Sequence, residues 1–514
     1  DTQGRLYSCE IHRWQKGVDD IRGREYMLLE DLSIQSSADR LAMFKNHYDQ
    51  HPAAWYTDYS DVIKLIEDTD GDGMADKSTV FADGFNDPLD GPGIGVIERD
   101  GDVYYTCIPH LWKLKDTDGD GKADTRESLQ DGFGIRMSFS GHDLHGLIWG
   151  PDGKLYWSVG DRGYSFTTRE GKRFHGPNEG AVFRCDPDGS NIELFYDRLR
   201  NPQELAFDDY GNLFTADNDG DKSDSERINY LVEGGDSGWH AGHQVLMSFQ
   251  HQYGFRISRY AGEGALNAWE HEKMWKVRDA RQPAFILPGI GQLQTGPSGL
   301  TYNPSSSLGD AYDNKFFVVL YAGSPHRSRV EMFDVQDDGA GFETANHEVV
   351  FNGVNAVDLD FGPDGSLYIS EFNYGGWGNA DVGNIFRIYD ETHSQKPQVL
   401  ENHKIWLSDY SKKTNTELAT LLSRDHKDLR YRAQFELAKR GESGTKVLIN
   451  AAQSGPDTFS RIHGVWGLGM VARKNPDALS VVRALATDKN DQVRIQALRV
   501  LGNHRDKAAT QILK

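Results

Sequence analysis

Two short segments carry the side chains best suited to chemistry. One is Gly141-His142-Asp143-Leu144-His145-Gly146, the other Leu199-Arg200-Asn201-Pro202-Gln203-Glu204. A His can act as a general base near neutral pH. An Arg beside an Asn can hold a developing anion or a carbonyl oxygen. Both sets stand just ahead of an apolar strand, a position that brings polar groups to the mouth of a propeller's central channel. The same residues also suit plainer roles, a turn-capping His and an Arg in a structural ion pair. A third reading groups His142, Asp143 and His145 as transition-metal ligands.

A different chemistry is written in the acidic loops. Asp68, Asp70, Asp72 and Asp76 recur as Asp116, Asp118, Asp120 and Asp124 in two near-identical Asp-Thr-Asp-Gly-Asp-Gly stretches. Carboxylates at positions 1, 3, 5 and 9 around a glycine turn suit Ca2+, a hard cation that takes six to eight oxygens. Glu127 falls at position 12 of the second loop, where a bidentate carboxylate is expected, whereas Thr79 stands there in the first. The flanks read as strands, so these are not EF-hands. A looser cluster, Asp217, Asp219, Asp221, Asp224 and Glu226, is a third candidate.

The elements that must position these groups show as repeats. A D-x-G-type turn leading into an apolar-aromatic strand appears at Gln3–Tyr7, Asp100–Tyr104, Asp152–Tyr156, Tyr210–Phe214 and Asp364–Tyr368, with a weaker copy at Asp313–Phe317. Gly accepts the positive φ such a turn needs, and the alternation predicts one face packed inward. Six copies predict an all-β six-bladed propeller over residues 1–395. From Thr414 the period is helical. Ala433, Gly464 and Ala497 occupy matching small positions, 31 and 33 residues apart. This predicts a HEAT-type α-helical solenoid over residues 396–514, with Tyr389–Pro397 as the linker.

Composition sets the outer bounds. The net charge of −22 argues against a nucleic-acid partner and suits cation binding or solubility. No apolar run is long enough to span a membrane. Cys9, Cys107 and Cys185 fit neither a zinc site nor a haem attachment motif, which leaves three thiols or one disulfide and a thiol. The chain starts inside a strand motif and stops inside an amphipathic helix, as expected of a processed or trimmed piece.

From Leu199 to Phe207, through the acidic loop to Glu226 and on from Arg227 to Trp239, the sequence resembles the core of the glucose/sorbosone dehydrogenase family. His142 ahead of Gly150-Pro151-Asp152-Gly153-Lys154-Leu155-Tyr156 fits the same pattern. Within that group it resembles the membrane-bound dehydrogenase and haem-binding proteins that continue through HEAT repeats to a c-type haem domain. The two acidic loops, Gly141–Gly146 and Gly160-Asp161-Arg162-Gly163-Tyr164 carry that likeness. The resemblance implies a periplasmic or secreted oxidoreductase for a sugar or polyol, using pyrroloquinoline quinone (PQQ) and Ca2+ and passing electrons to a cytochrome. It implies His142 as the base, Arg200, Asn201, Gln203 and Asp143 as cofactor contacts, and the Asp217–Glu226 loop as the calcium site. Basic residues that the family places in the last two blades are absent near Tyr321 and from Asn355 to Gly362, although Arg327 and Arg329 lie close in sequence. The alternative is a non-catalytic, calcium-stabilised propeller that binds a carbohydrate or a partner protein. Trp269, Trp275 and Trp377 could line a sugar site or pack in a core.

Overall fold

The computed structural model describes residues 1–220, 225–241, 273–274, 276, 286–305, 307–372, 375–378 and 382–512. Six antiparallel sheets follow one another along the chain as the blades of a propeller. Blade one holds Leu6–Glu10, Asp61–Glu67 and Lys77–Phe85. Blade two holds Gly93–Arg99, Asp102–Cys107, His110–Lys115 and Thr125–Asp131. Blade three runs Leu144–Trp149, Leu155–Val159, Gly180–Cys185 and Glu193–Leu199, with Gly235–Asp236 added in parallel at its outer edge. Blade four holds Pro202–Phe207, Leu213–Asp217, Arg227–Leu231 and Gly291–Gln292. Blade five holds Pro297–Tyr302, Phe316–Leu320, Arg329–Asp338 and Gly341–Asn352. Blade six holds Ala356–Phe361, Leu367–Glu371 and Ile385–Ile388.

In blades two to six the D-x-G-type turn joins the innermost strand to the second. In blade one the strand after Gly4 is itself the innermost described, and its free edge faces the axis. The second strands in blades three to five are buried along their whole length. The expected one-faced burial gives way here because neighbouring blades stack on both faces of each sheet.

Between the first two strands of blade one, helices Leu28–Ser33 and Ser37–Asn46 fold over the rim. The Ser36 hydroxyl accepts the Asp39 N–H and caps the second of them. Both pack on Ile135, Met137 and Phe139, next to His142.

After Ile388 the chain turns helical, from Pro397–Trp406 to Asp491–Asn503. The helices Lys427–Lys439, Thr458–Ala472 and Asp491–Asn503 lie against the turn face of blades three and four. One hydrophobic core unites Trp149, Trp157 and Phe183 of the propeller with Leu437, Trp466 and Leu468 of the helices. The glycine turns are the docking points. A Cβ on Gly153 would come within 2.5 Å of Met470, and one on Gly211 within 2.9 Å of Trp466. The helical domain therefore braces the face opposite His142, Arg200 and Asn201. The three cysteines are all free thiols, with Cys107 and Cys185 buried.

Candidate functional site

A cavity of about 3170 Å³ follows the propeller axis between the inner strands and extends to Trp406 and Tyr431 of the helical domain. His142, Arg200, Asn201 and Gln203 line it at the mouth. His142 sits just before the first strand of blade three, with its edge towards the Phe139 ring at 5.8 Å between centroids. Its Nδ1 lies 2.7 Å from Asp161 Oδ1. A carboxylate at Nδ1 fixes that nitrogen as the N–H, which leaves Nε2 with its lone pair as the basic atom.

Asp161, which residue type alone does not single out, completes the pair. It follows the second strand of blade three in Gly160-Asp161-Arg162-Gly163, and that acid at a strand's mouth end was the available signal. It is fully buried. Burial alone would raise its pKa, but the facing His142, the charge of Arg200 and a hydrogen bond from Trp239 hold the carboxyl below its usual range. Trp239 Nε1 donates to Oδ2 at 2.9 Å, and the Asp161 N–H donates to the Arg200 carbonyl at 2.8 Å.

Arg200 is 2% exposed, its guanidinium 5.6 Å from the centre of the Trp239 ring. The side-chain amides of Asn201 and Gln203 both donate to the Gly141 carbonyl, each at 3.1 Å, and so pin the loop that carries His142 to blade four.

Asp143 departs from expectation. It is fully buried, ion-paired to Arg162 at 2.7 Å and bonded by the Gly141 N–H at 3.0 Å, outside the cavity lining. These bonds tie it into the loop. His145 is also fully buried, and burial beside His142 pushes its pKa down to about 3, so it is neutral. His142, Asp143 and His145 form no metal-ligating group among the described residues; they bond Asp161, Arg162 and Asn201 respectively.

The acidic loops sort differently. Asp68, Asp70 and Asp76 converge at one hairpin tip of blade one, and Asp116, Asp118 and Asp120 at the matching tip of blade two. The lead Asp of each already caps two glycine N–H groups, Asp68 those of Gly71 and Gly73, Asp116 those of Gly119 and Gly121. Asp72, which accepts the Met74 N–H, and Asp124, which accepts Thr117, fall outside these groups. Glu127 lies on an outer strand opposite Lys113 and does not join its loop, since a strand's period of two carries it along the sheet rather than back to the turn. The third cluster does not assemble among the described residues. Asp217 is buried, accepts the backbone N–H groups of Arg200 and Asn201, and pairs with Arg227 at 3.0 Å. It caps the turn that presents Arg200. The Asp219 N–H bonds Asn218, and Glu226 leads into the third strand of blade four. Asp221, Asp224, Trp269 and Trp275 lie outside the described residues.

The wall opposite Arg200 is aromatic and acidic. Trp14, Tyr321, Phe372, Trp377 and Glu371 line it. Arg327 and Arg329 do not: Arg327 donates to the Ala322 carbonyl, and Arg329 pairs with Glu331 at 2.6 Å.

Deeper in the channel, Glu204, Asp358 and Asp360 line the axis. Glu204 is half-buried, and Asp358 and Asp360 are exposed to the channel although protein surrounds them. Burial is the main cause, reinforced by Asp358 and Asp360 at Glu204, by Asp360 at Asp358 and by Asp428 at Asp360; it raises Glu204 well above the ordinary carboxylate range and pushes Asp358 up to about 7 and Asp360 up to about 6. The unfolded chain therefore releases these protons at lower pH than the folded one, and stability falls as pH climbs from about 4 past 7. Glu204→Gln is expected to raise the melting temperature by roughly 2–4 °C at pH 8 and to leave it unchanged near pH 4. Differential scanning calorimetry across that range checks this.

Fold and site together define a six-bladed propeller with a buried His–Asp pair at the mouth of its axial cavity. The chain belongs to the family described as a domain of unknown function, DUF7133, which matches residues 1–375, and HEAT repeats match residues 445–514. The quinoprotein glucose dehydrogenase B of Acinetobacter calcoaceticus is 33% identical over 125 residues, 19% of this chain and 26% of that protein. The match thus spans about a quarter of that relative's length. An oxidoreductase (glucose dehydrogenase) of Thermus thermophilus is similar at a TM-score of 0.41 and 16% identity, over 63% of this chain and 90% of its own. The PQQ-bound aldose sugar dehydrogenase of Streptomyces coelicolor is similar at a TM-score of 0.40 and 16% identity, over 64% and 86%. Among the described residues no helix is long and apolar enough to cross a membrane.

Proposed function

We propose that this chain is an extracytoplasmic oxidoreductase that oxidises a hydroxyl of a sugar or polyol, with a PQQ-like quinone and Ca2+, and delivers electrons to a cytochrome. The observation that carries this is the His142 Nδ1–Asp161 contact of 2.7 Å at a cavity wall shared with Arg200. His142 Nε2 takes the hydroxyl proton as the substrate carbonyl forms, and Asp161 stabilises the resulting imidazolium. In this reading Arg200 binds a carboxylate or quinone oxygen, and Asn201 and Gln203 hold the His142 loop against that wall. These donors fit one side of a quinone cofactor, which when bound supplies the two-electron acceptor for the substrate's hydride. Tyr321 and Glu371 stand on the opposite wall, so this proposal seats such a cofactor on the Arg200 side.

Purified protein mixed with PQQ, CaCl2 and a panel of aldoses and polyols is expected to reduce an artificial dye. Failure to reduce the dye across the panel, with no quinone retained after gel filtration, overturns this reading. The aromatic far wall favours a second reading, a propeller that binds carbohydrate without turnover. His142→Ala separates the two, since it abolishes dye reduction under the first and leaves binding intact under the second.

Ca2+ belongs, in this proposal, to the two hairpin tips. Three carboxylates that converge within 4.8 Å repel one another unless a cation neutralises them. Titration of chelator-treated protein with Ca2+ is expected to release or absorb heat and to raise the melting temperature. Asp118→Ala with Asp70→Ala is expected to remove both effects.

A further inference from the structure

The structure assigns Trp239 a positioning role: its indole N–H fixes the Asp161 carboxylate against His142 while its ring seats the Arg200 guanidinium, so one side chain aligns the base and the cation. The inference rests on reading His142 as the base. Trp239 is 1% exposed, and its Nε1 stands 2.9 Å from Asp161 Oδ2, on the oxygen His142 does not use. Its π face meets Arg200 at 5.6 Å.

The backbone shows how this indole arrives there from a different blade. After the third strand of blade four the chain turns back, and Gly235–Asp236 pair in parallel with Tyr196 and Asp197 at the edge of blade three. A Cβ on Gly235 would come within 2.3 Å of the Tyr196 ring, so only glycine allows that approach. Gly238 has φ of 77°, a left-handed value that turns the chain inward, and the Trp239 N–H bonds the Arg198 carbonyl at 2.9 Å. Arg198 and Arg200 are on the same segment, so Trp239 and Arg200 are registered by one backbone bond.

The physical consequence concerns charge. Indole N–H is a donor only. While it bonds Oδ2 it draws part of the carboxylate's negative charge away from Oδ1. Without it, Oδ1 becomes the stronger acceptor and the imidazolium form of His142 is favoured. The ionisable groups that face His142 are Asp161 and the neutral His145, with Arg200 behind Asp161.

The test uses the whole chain without cofactor or substrate, so it succeeds or fails independently of the dehydrogenase reading. His142 is followed by histidine-selective 15N NMR against pH in the wild type, in Trp239→Phe, and with the indole of Trp239 replaced by its benzothiophene isostere, which lacks only the N–H. Both variants are expected to raise the His142 titration midpoint by about half a pH unit or more. The isostere is also expected to keep the ring contact with Arg200. A midpoint unchanged within about 0.2 unit in the isostere, a change too small to report a lost charge-dispersing hydrogen bond, overturns the proposal. The isostere decides the matter if Trp239→Phe fails to fold.

Discussion

Asp161→Asn is expected to lower the rate of substrate oxidation by about 10²- to 10⁴-fold with little change in substrate affinity. The neighbours of Asp161 dictate the size of this effect. Trp239 Nε1 can only donate, so the new amide must turn its oxygen to Trp239 and its NH2 group to His142. That orientation makes Nδ1 of His142 an acceptor and moves its proton to Nε2, the atom needed as the base. The geometry survives while the tautomer is wrong. Steady-state dye-reduction kinetics on the quinone- and Ca2+-loaded protein measure the rate, and the 15N shifts of His142 report the tautomer. A variant with the wild-type rate would show that Asp161 does not act through His142.

Arg430→Met is expected to destabilise the protein by about 3–5 kcal/mol in denaturant unfolding at pH 7. Arg430 is fully buried where the helical repeats meet blade four. Its guanidinium bonds the Asp209 carboxylate, the carbonyls of Arg424 and Asp425, and His463. Asp209 is 6% exposed and otherwise accepts from the Tyr302 hydroxyl at 3.0 Å. Removal of the cation leaves a buried carboxylate without its countercharge, the situation in which a buried pair costs most. Around it Lys427 donates to the Phe207 carbonyl, Gln434 to that of Pro151 and Gln496 to that of Tyr210, each at 2.7 Å. These bonds close the otherwise open turn carbonyls of two adjacent blades. A loss below about 1 kcal/mol would mean that the interface relaxes and water reaches Asp209.

Asp161 and Arg430 lie on opposite faces of the propeller. The helical repeats leave the His142 mouth open and rigidify the blades that carry it. Blades three and four supply His142, Asp161, Arg200 and Asn201, and the helices bond their turns.

What the sequence by itself determined was local. The D-x-G turn needs a left-handed backbone and is followed by a strand, so its repetition reads directly as blades. The spacing of Ala433, Gly464 and Ala497 reads as stacked helices, because small residues mark where helix axes approach closely. His142, Arg200 and Asn201 could be chosen because each sits a fixed few residues before an inner strand. Contacts between distant segments were decided only by tertiary structure. Asp143, next to His142 in sequence, turns away to Arg162, while Asp161 comes to His142 from the end of the next strand. Trp239 reaches the same carboxylate from the outer edge of blade three, after the chain has left blade four. Asp217 became a cap for Arg200, and Glu127 was carried out of its loop along a strand. Arg327 and Arg329, near the cavity in sequence, face away from it. The reason is that backbone dihedrals fix direction over a few residues only. Which carboxylate meets the imidazole depends on how neighbouring blades pack, and no short-range spacing encodes that.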